Sequence, residues 1–436
     1  MWGRDCHSAL VPVVLVIYKR QHHTMRTESE NEIKQINTRL LRIVSGLPAR
    51  AAFVLVFAGL ASLMLLQSHA APFATSSEVE SGALGNSAAT LTDATASGGS
   101  AVKFATGGGG GGCPQTKRTI TAADVSSNQN SGYPAGTQVF MPGGPDPWGG
   151  CFPGAGNTGI PAGTTLTNYS GSCTISTANT VIDAKNINCD LAIQANNVTI
   201  KNSKITASNI EINSGSLLLQ DSEVNFGNNI NGEGLKGSNF VVERANMYGG
   251  KRQVWCDHCT LQDSYLHDQL SDPSGVTHES SARVEAFAVL RHNTFWCNAP
   301  DFPPDAGCSA NQTGYPDFSP IHDNTFDKNF YLATTGGYCS YGGDNPGKPY
   351  NNDPLNATNI HSTNNVFQRG TRTNDRTTIA VTDKRRYTCG GYGVIESYND
   401  AKAGFVFKGN MWDDGLLFKD DTTYPYGAWL SQMETP

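Results

Sequence analysis

Nine segments of the chain repeat one pattern of apolar and polar positions: VID-AKNI, VTIKNSKI, LLLQDSEV, FVVERANM, CTLQDSYL, AVLRHNTF, SPIHDNTF, NIHSTNNVF and FVFKGNMW. In register, an apolar reference residue stands at Ile182, Ile200, Leu219, Val242, Leu261, Leu290, Ile321, more loosely near Ile360, and at Phe407. Most segments have another apolar residue two positions earlier, as at Val198, Leu217, Phe240, Cys259, Ala288 and Phe405. A third follows five positions on, at Ile187, Ile205, Val224, Met247, Leu266, Phe295, Phe326, Phe367 and Trp412. Alternation, a polar break and a second apolar position spell a strand, a corner and a further strand. One such unit cannot bury its own apolar face. Stacking is what makes a core, so the repeat predicts an all-β solenoid, a right-handed parallel β-helix.

The reference positions are spaced 18, 19, 23, 19, 29 and 31 residues apart from Ile182 to Ile321. Early coils are therefore near minimal, and later ones carry insertions at 269–286, 298–318, 333–355 and 370–402. Long loops on successive coils tend to project from one face and carry function, which points to the second half of the chain. Three residues past the reference position lie Ser203, Ser222, Ser264, Asn293, Asn324 and Asn410, a row suited to satisfying corner backbone groups between coils. The row before it, Asn202, Asp221, Arg244, Asp263, His292 and Asp323, reads as a solvated turn edge.

The segments flanking the repeat have other compositions. The apolar run AAFVLVFAGLASLMLL (51–66) follows Arg39, Arg42 and Arg50 and precedes Ser68-His69-Ala70, the pattern of an export signal. It makes 1–70 a leader and signal peptide, with a start at Met25 as an alternative; an uncleaved signal would anchor the chain to a membrane. Residues 71–112 read as a small-residue linker ending in six glycines, 113–166 as a Pro- and Gly-rich cap on the N-terminal end of the solenoid, 167–415 as the β-helix, and 416–436 as a C-terminal tail or cap. A brief helix is predicted after Thr121. The expected product is a secreted or cell-surface monomer.

Cysteine and charge narrow the setting. Ten cysteines follow the leader, an even number that predicts disulfides in an exported chain. Sequence proximity suggests Cys113–Cys151, Cys173–Cys189, Cys256–Cys259, Cys297–Cys308 and Cys339–Cys389. The formal charge is -7; residues 1–70 hold 8 Lys or Arg against 4 Asp or Glu, leaving 23 against 34 in the remainder. An acidic exterior argues against nucleic acid as a partner.

The strand pattern and its polar rows resemble the secreted β-helix proteins of the pectate-lyase-like superfamily over 167–415. That resemblance implies an extracellular protein facing a polysaccharide or cell-surface glycan. The superfamily includes lyases, hydrolases, epimerases and non-catalytic adhesins.

Candidate chemistry lies six residues past the reference position, where Tyr248, His267, Trp296 and Asp327 face outward. Asp268, Lys328 and Arg369 adjoin this row, and the first insertion adds His278, Glu279 and Arg283. β-Elimination on an acidic glycan is the first expectation: calcium at Asp268, Glu279 and Asp327 neutralises a uronate, and Arg283, Lys328 or His267 removes the proton. Tyr248, Trp296, Arg369, Lys384 and Arg385 are the substrate contacts. Hydrolysis by the paired Asp268 and Asp327 is the second reading. A rod that binds glycan without turnover is the third. The chain has neither a three-aspartate cluster nor an arginine-rich strand of the kinds known in the superfamily.

Overall fold

The computed structural model describes residues 88–92, 100–104, 112–126, 133–369, 389, 394–399 and 401–418. The leader and signal segment lie outside them. Within the expected linker, Ala88–Thr92 and Ser100–Phe104 pair as a two-stranded sheet.

From Thr167 onward the chain is a parallel β-helix. The coils build a first sheet of nine strands (Val181–Asp183 to Val406–Lys408), a second of ten (Thr167–Asn168 to Met411–Trp412) and a third of seven (Thr174–Ile175 to Gln312–Thr313), which ends before the other two. In all three sheets a strand bonds in parallel to its equivalents one coil before and after. On the first sheet Ile182, Ile200, Leu219, Val242, Leu261 and Leu290 stack as Cα partners, coil upon coil. These side chains are buried in one continuous core. At about 1.5–3 kcal/mol for each buried aliphatic side chain, this stack is the main stabilising term.

The next coil corrects the register expected at Ile321. Leu290 pairs with Phe326 and Phe295 with Tyr331, so Phe326 occupies the first sheet and the second-sheet residue is Tyr331. Ile321 lies at the preceding corner, where its N–H bonds to Asn356 Oδ1 at 3.0 Å. The physical cause is mimicry between corners. Asp323 (φ 53°) followed by Asn324 repeats the left-handed-then-amide pattern of the true corner, Lys328 (φ 57°) followed by Asn329. In the following coil the reference position is polar: Phe326, Ser362 and Phe407 are Cα partners.

The corner between the first and second sheets is two residues long in nearly every coil. Its first residue has positive φ at Asn202, Asp221, Arg244, Asp263, His292, Lys328, Asn364 and Gly409. Its second residue builds a ladder. Ser203, Ser222 and Ser264 accept a backbone N–H from the coil before, at 3.0–3.1 Å, and Asn293, Asn329, Asn365 and Asn410 continue the row. Each of these asparagine amides also donates to a first-sheet carbonyl, as from Asn329 to Leu290 O at 2.8 Å. Asn324 belongs instead to the neighbouring corner, accepting from Ala288 N.

The segment expected to cap the N-terminal end lies instead along the flank of the later coils, as a strap. Its short helix, Ala122–Ser126, is capped reciprocally by Thr121 and Asp124. Phe140 N–H bonds to Asp413 O, and Gly159 N–H to Arg244 O. Phe140 and Phe152 pack with Phe330, Leu332 and Val366, flanked by Trp148, Trp296 and Met411. An apolar outer face on the second sheet thus takes the strap as its cover. Gly154 is required in this strap, because a Cβ there would lie 2.5 Å from Gly143 N.

All five disulfides pair as expected: Cys113–Cys151, Cys173–Cys189, Cys256–Cys259, Cys297–Cys308 and Cys339–Cys389. Such bonds fit an oxidising, extracellular compartment. Among the described residues no helix is long and apolar enough to cross a membrane.

Candidate functional site

The structure divides the expected site among separate places. Tyr248, His267 and Trp296 do share the outer face of the second sheet. His267 stacks on Tyr265 at 4.1 Å and lies 5.6 Å from Tyr248, ring to ring. Its Nδ1 meets Asp268 Oδ2 at 2.7 Å and its Nε2 meets Asn246 Oδ1 at 2.8 Å. The Tyr248 hydroxyl donates to Glu223, and burial together with that bond raises its pKa to about 12. Trp296, expected as an open sugar platform, packs against the strap cluster instead.

Asp327 and Lys328 leave this row because of the register correction. Asp327 aligns with Arg291 on the first sheet and accepts from Thr363 and Asn364 at 2.8 and 2.9 Å. Lys328 sits at the corner, its Nζ 5.5 Å from the Trp148 ring centre. His278 is exposed on the insertion, 3.0 Å from Asp305. Arg369 is buried among Trp412, Tyr133 and Asp414. Lys384 and Arg385 lie outside the described residues.

Glu279 is 1% exposed. One carboxylate oxygen accepts from Gly307 N–H, the other meets no protein donor, and burial pushes its pKa up to about 8. Asp268, Glu279 and Asp327 therefore hold three unrelated positions with separate partners and do not fit a shared calcium. Among the described residues no group of three or more His, Cys, Asp or Glu side chains gathers as metal donors.

Arg283 marks a different face, the outside of the third sheet. Alternation there buries Ile210, Leu235, Val254 and Ala282 and turns Glu211, Lys236, Trp255, Arg283 and Thr313 outward as successive Cα partners. Further along the chain, Tyr341 and Glu396 form the same kind of pair. Loop 314–323, after the third-sheet strand Gln312–Thr313, and loop 342–359, after Ser340–Tyr341, border this row.

The centre of the face is aromatic. The guanidinium carbon of Arg283 lies 4.9 Å from the ring centres of both Trp255 and Phe318, and Phe318 is 61% exposed. Arg283 Nε donates to Glu285 at 2.9 Å, and its Nη2 donates to Tyr315 O at 3.0 Å and lies 3.4 Å from Asp317. The indole N–H of Trp255 and the Ser319 hydroxyl also bond Glu285. The Tyr315 hydroxyl lies 2.6 Å from that of Tyr341 and 3.2 Å from Glu396 Oε2. Burial raises the pKa of Glu396, partly offset by the tyrosine hydroxyls.

Charges on this face cancel locally. Lys236 pairs with Glu211, Lys251 and Arg252 with Glu233, Arg283 with Glu285 and Asp317, and Lys348 with Asp317. Burial lowers the pKa of Arg252 to about 10 against the pull of Glu233, which leaves it cationic at neutral pH. The result is an aromatic surface with a rim of satisfied polar groups and little net field.

Sequence reading had Arg283 but not its setting. Trp255, Glu285, Tyr315, Phe318, Tyr341 and Glu396 were missed because the template covered two strands per coil. The signal for the third strand was present as apolar-x-apolar triplets: Ile210-Glu211-Ile212, Val254-Trp255-Cys256 and Ala282-Arg283-Val284.

Fold and site together define an extracellular-type parallel β-helix with an aromatic, charge-balanced face. No protein family, no curated protein and no solved structure matches the chain.

Proposed function

We propose that this chain is an extracellular polysaccharide-binding protein that holds a neutral glycan along the outer face of its third sheet. The observation that carries this reading is the pairing of half-buried Trp255 with exposed Phe318 over a neutralised, buried Arg283. Aromatic faces offer the C–H side of a sugar ring an apolar platform, and the carboxylates and hydroxyls around them suit its hydroxyl groups. The resemblance to secreted β-helix proteins of the pectate-lyase-like superfamily supports a glycan partner, although fold alone assigns no activity.

Binding has more support than β-elimination on an acidic glycan. A uronate calls for an uncompensated cation, whereas Arg283 is already bonded to two carboxylates. The three acids expected to hold calcium also sit apart.

The test is a glycan array with the full chain, followed by Kd measurements for Trp255→Ala. Retention of neutral glycans, weakened about tenfold or more in the variant, is the expected result. Preference for polyuronates, with ultraviolet absorbance from unsaturated products, would overturn the reading in favour of a lyase.

A further inference from the structure

We infer that the corner between the third and first sheets carries a second sugar-stacking position, centred on Phe287. It rests on the neutral-glycan reading above and extends the bound chain around the coil. Phe287 follows Arg283 by four residues, and His258 follows Trp255 by three, so the corner is a direct continuation of the coils that hold the aromatic face.

The observation is an uneconomical residue in a demanding place. At this corner Asn239, His258, Asp323, Asn359 and Gly404 have φ of 63°, 51°, 53°, 52° and 72°. Gly, Asn, Asp and His tolerate that left-handed conformation best, and an aromatic side chain is uncommon there. Phe287 adopts it too, with φ 54°. Burial does not compensate, because the side chain is 45% exposed. Strain held at an exposed aromatic residue is the form that a binding position takes.

The surroundings suit a sugar ring. The Phe287 ring lies 4.5 Å from His258 and 5.1 Å from His322, forming a short aromatic ledge. Beside it runs a shallow cleft of about 310 Å³, bordered by Asn239, His258, Thr260 and Phe287. An apolar floor with an amide and a hydroxyl at its edge matches a pyranose, with C–H groups on one face and hydroxyls around its rim. His258 Nδ1 lies 3.0 Å from Asp257, whose other oxygen accepts from Ser238. The acid at this ledge is therefore already engaged, and a neutral sugar suits it better than a charged one.

Phe287→Asn separates stability from binding, because it removes the ring and relieves the backbone. Its Tm should rise by about 2–4 °C. Calorimetric titration would use cellohexaose, laminarihexaose, xylohexaose and mannohexaose against wild type, Phe287→Asn, Phe287→Tyr and Trp255→Ala. For the hexasaccharide that wild type holds best, Phe287→Asn should bind about five- to tenfold more weakly and Phe287→Tyr within about twofold of wild type. Undiminished binding by Phe287→Asn, alongside weakened binding by Trp255→Ala, would remove the corner position and leave the main face standing. Failure of wild type to bind any of the four would overturn both.

Discussion

His292 Nε2 lies 3.1 Å from Asp146 Oδ2, joining two residues 146 positions apart and clasping the strap to the coil beneath it. On the other side of the ring, Nδ1 meets Asp263 at 2.7 Å. The imidazole also stacks on Phe152, with Trp148 at its edge. Burial opposes protonation here, but the hydrogen bonds that the imidazolium donates to Asp146 and Asp263 outweigh it and hold the pKa at about 9 instead of 6.5. The raised value means that the clasp contributes fully below pH 6.5 and fades as pH rises through 9. Its contribution is about 3 kcal/mol. Thermal unfolding between pH 6 and 10 should show Tm falling over that window, and His292→Gln should have a lower Tm at pH 6 and a flatter profile. An unchanged profile in the variant would rule out the clasp as the titrating group.

The asparagine ladder should be sensitive at single positions. Asn329 accepts the N–H of Asn293 and donates to Leu290 O, both buried. Asn329→Ala orphans both groups and should cost about 2–4 kcal/mol in denaturant unfolding. Asn329→Ser should recover part of that loss, since serine fills the same row at Ser203 and Ser222. Equal losses for the two substitutions would assign the effect to packing.

Glu279 should respond to pH in the direction of a buried acid. Its folded pKa of about 8 exceeds the ordinary 4.5, so its contribution is full below pH 4.5 and is lost as pH rises through 8. Glu279→Gln keeps the shape without the ionisable proton. At pH 9 it should be the more stable of the two by about 3–5 kcal/mol, measured by urea unfolding. A variant less stable than wild type at pH 9 would point to an ionised, paired carboxylate.

Relocation of the site to the third sheet has its own test. Asp327→Asn alters a first-sheet residue bonded to Thr363 and Asn364 and should leave glycan affinity within about twofold of wild type. Tyr315→Phe removes the hydroxyl between Tyr341 and Glu396 and should weaken binding about three- to tenfold. The reverse ordering in a titration would return the site to the row first read from the sequence.

The early coils were legible because their interior column is apolar rung after rung, as at Ile200, Leu219, Val242 and Leu261; Ser362, buried in the same column, blurs the pattern later. Legibility ended where two corners used the same chemistry. Asp323-Asn324 reads like Lys328-Asn329 in a string of letters, and only the pairing in the next coil tells them apart: Asn324 aligns with Ile360, whereas Asn329 N–H bonds to Asn365 Oδ1. The site was harder to see for another reason. Trp255, Tyr315 and Glu396 meet through different coils and loops, so no spacing in the chain announces them. The strap escaped because its contacts join Phe152 to Phe330, far beyond any local pattern.

The uniform two-residue corner between the first and second sheets has a consequence for engineering. Insertions all fall at the other turns, while this one edge holds rung height constant like the spine of a book. Segments 314–323 or 342–359 could be exchanged to test the proposed recognition, with the pages rewritten and the spine left as it is.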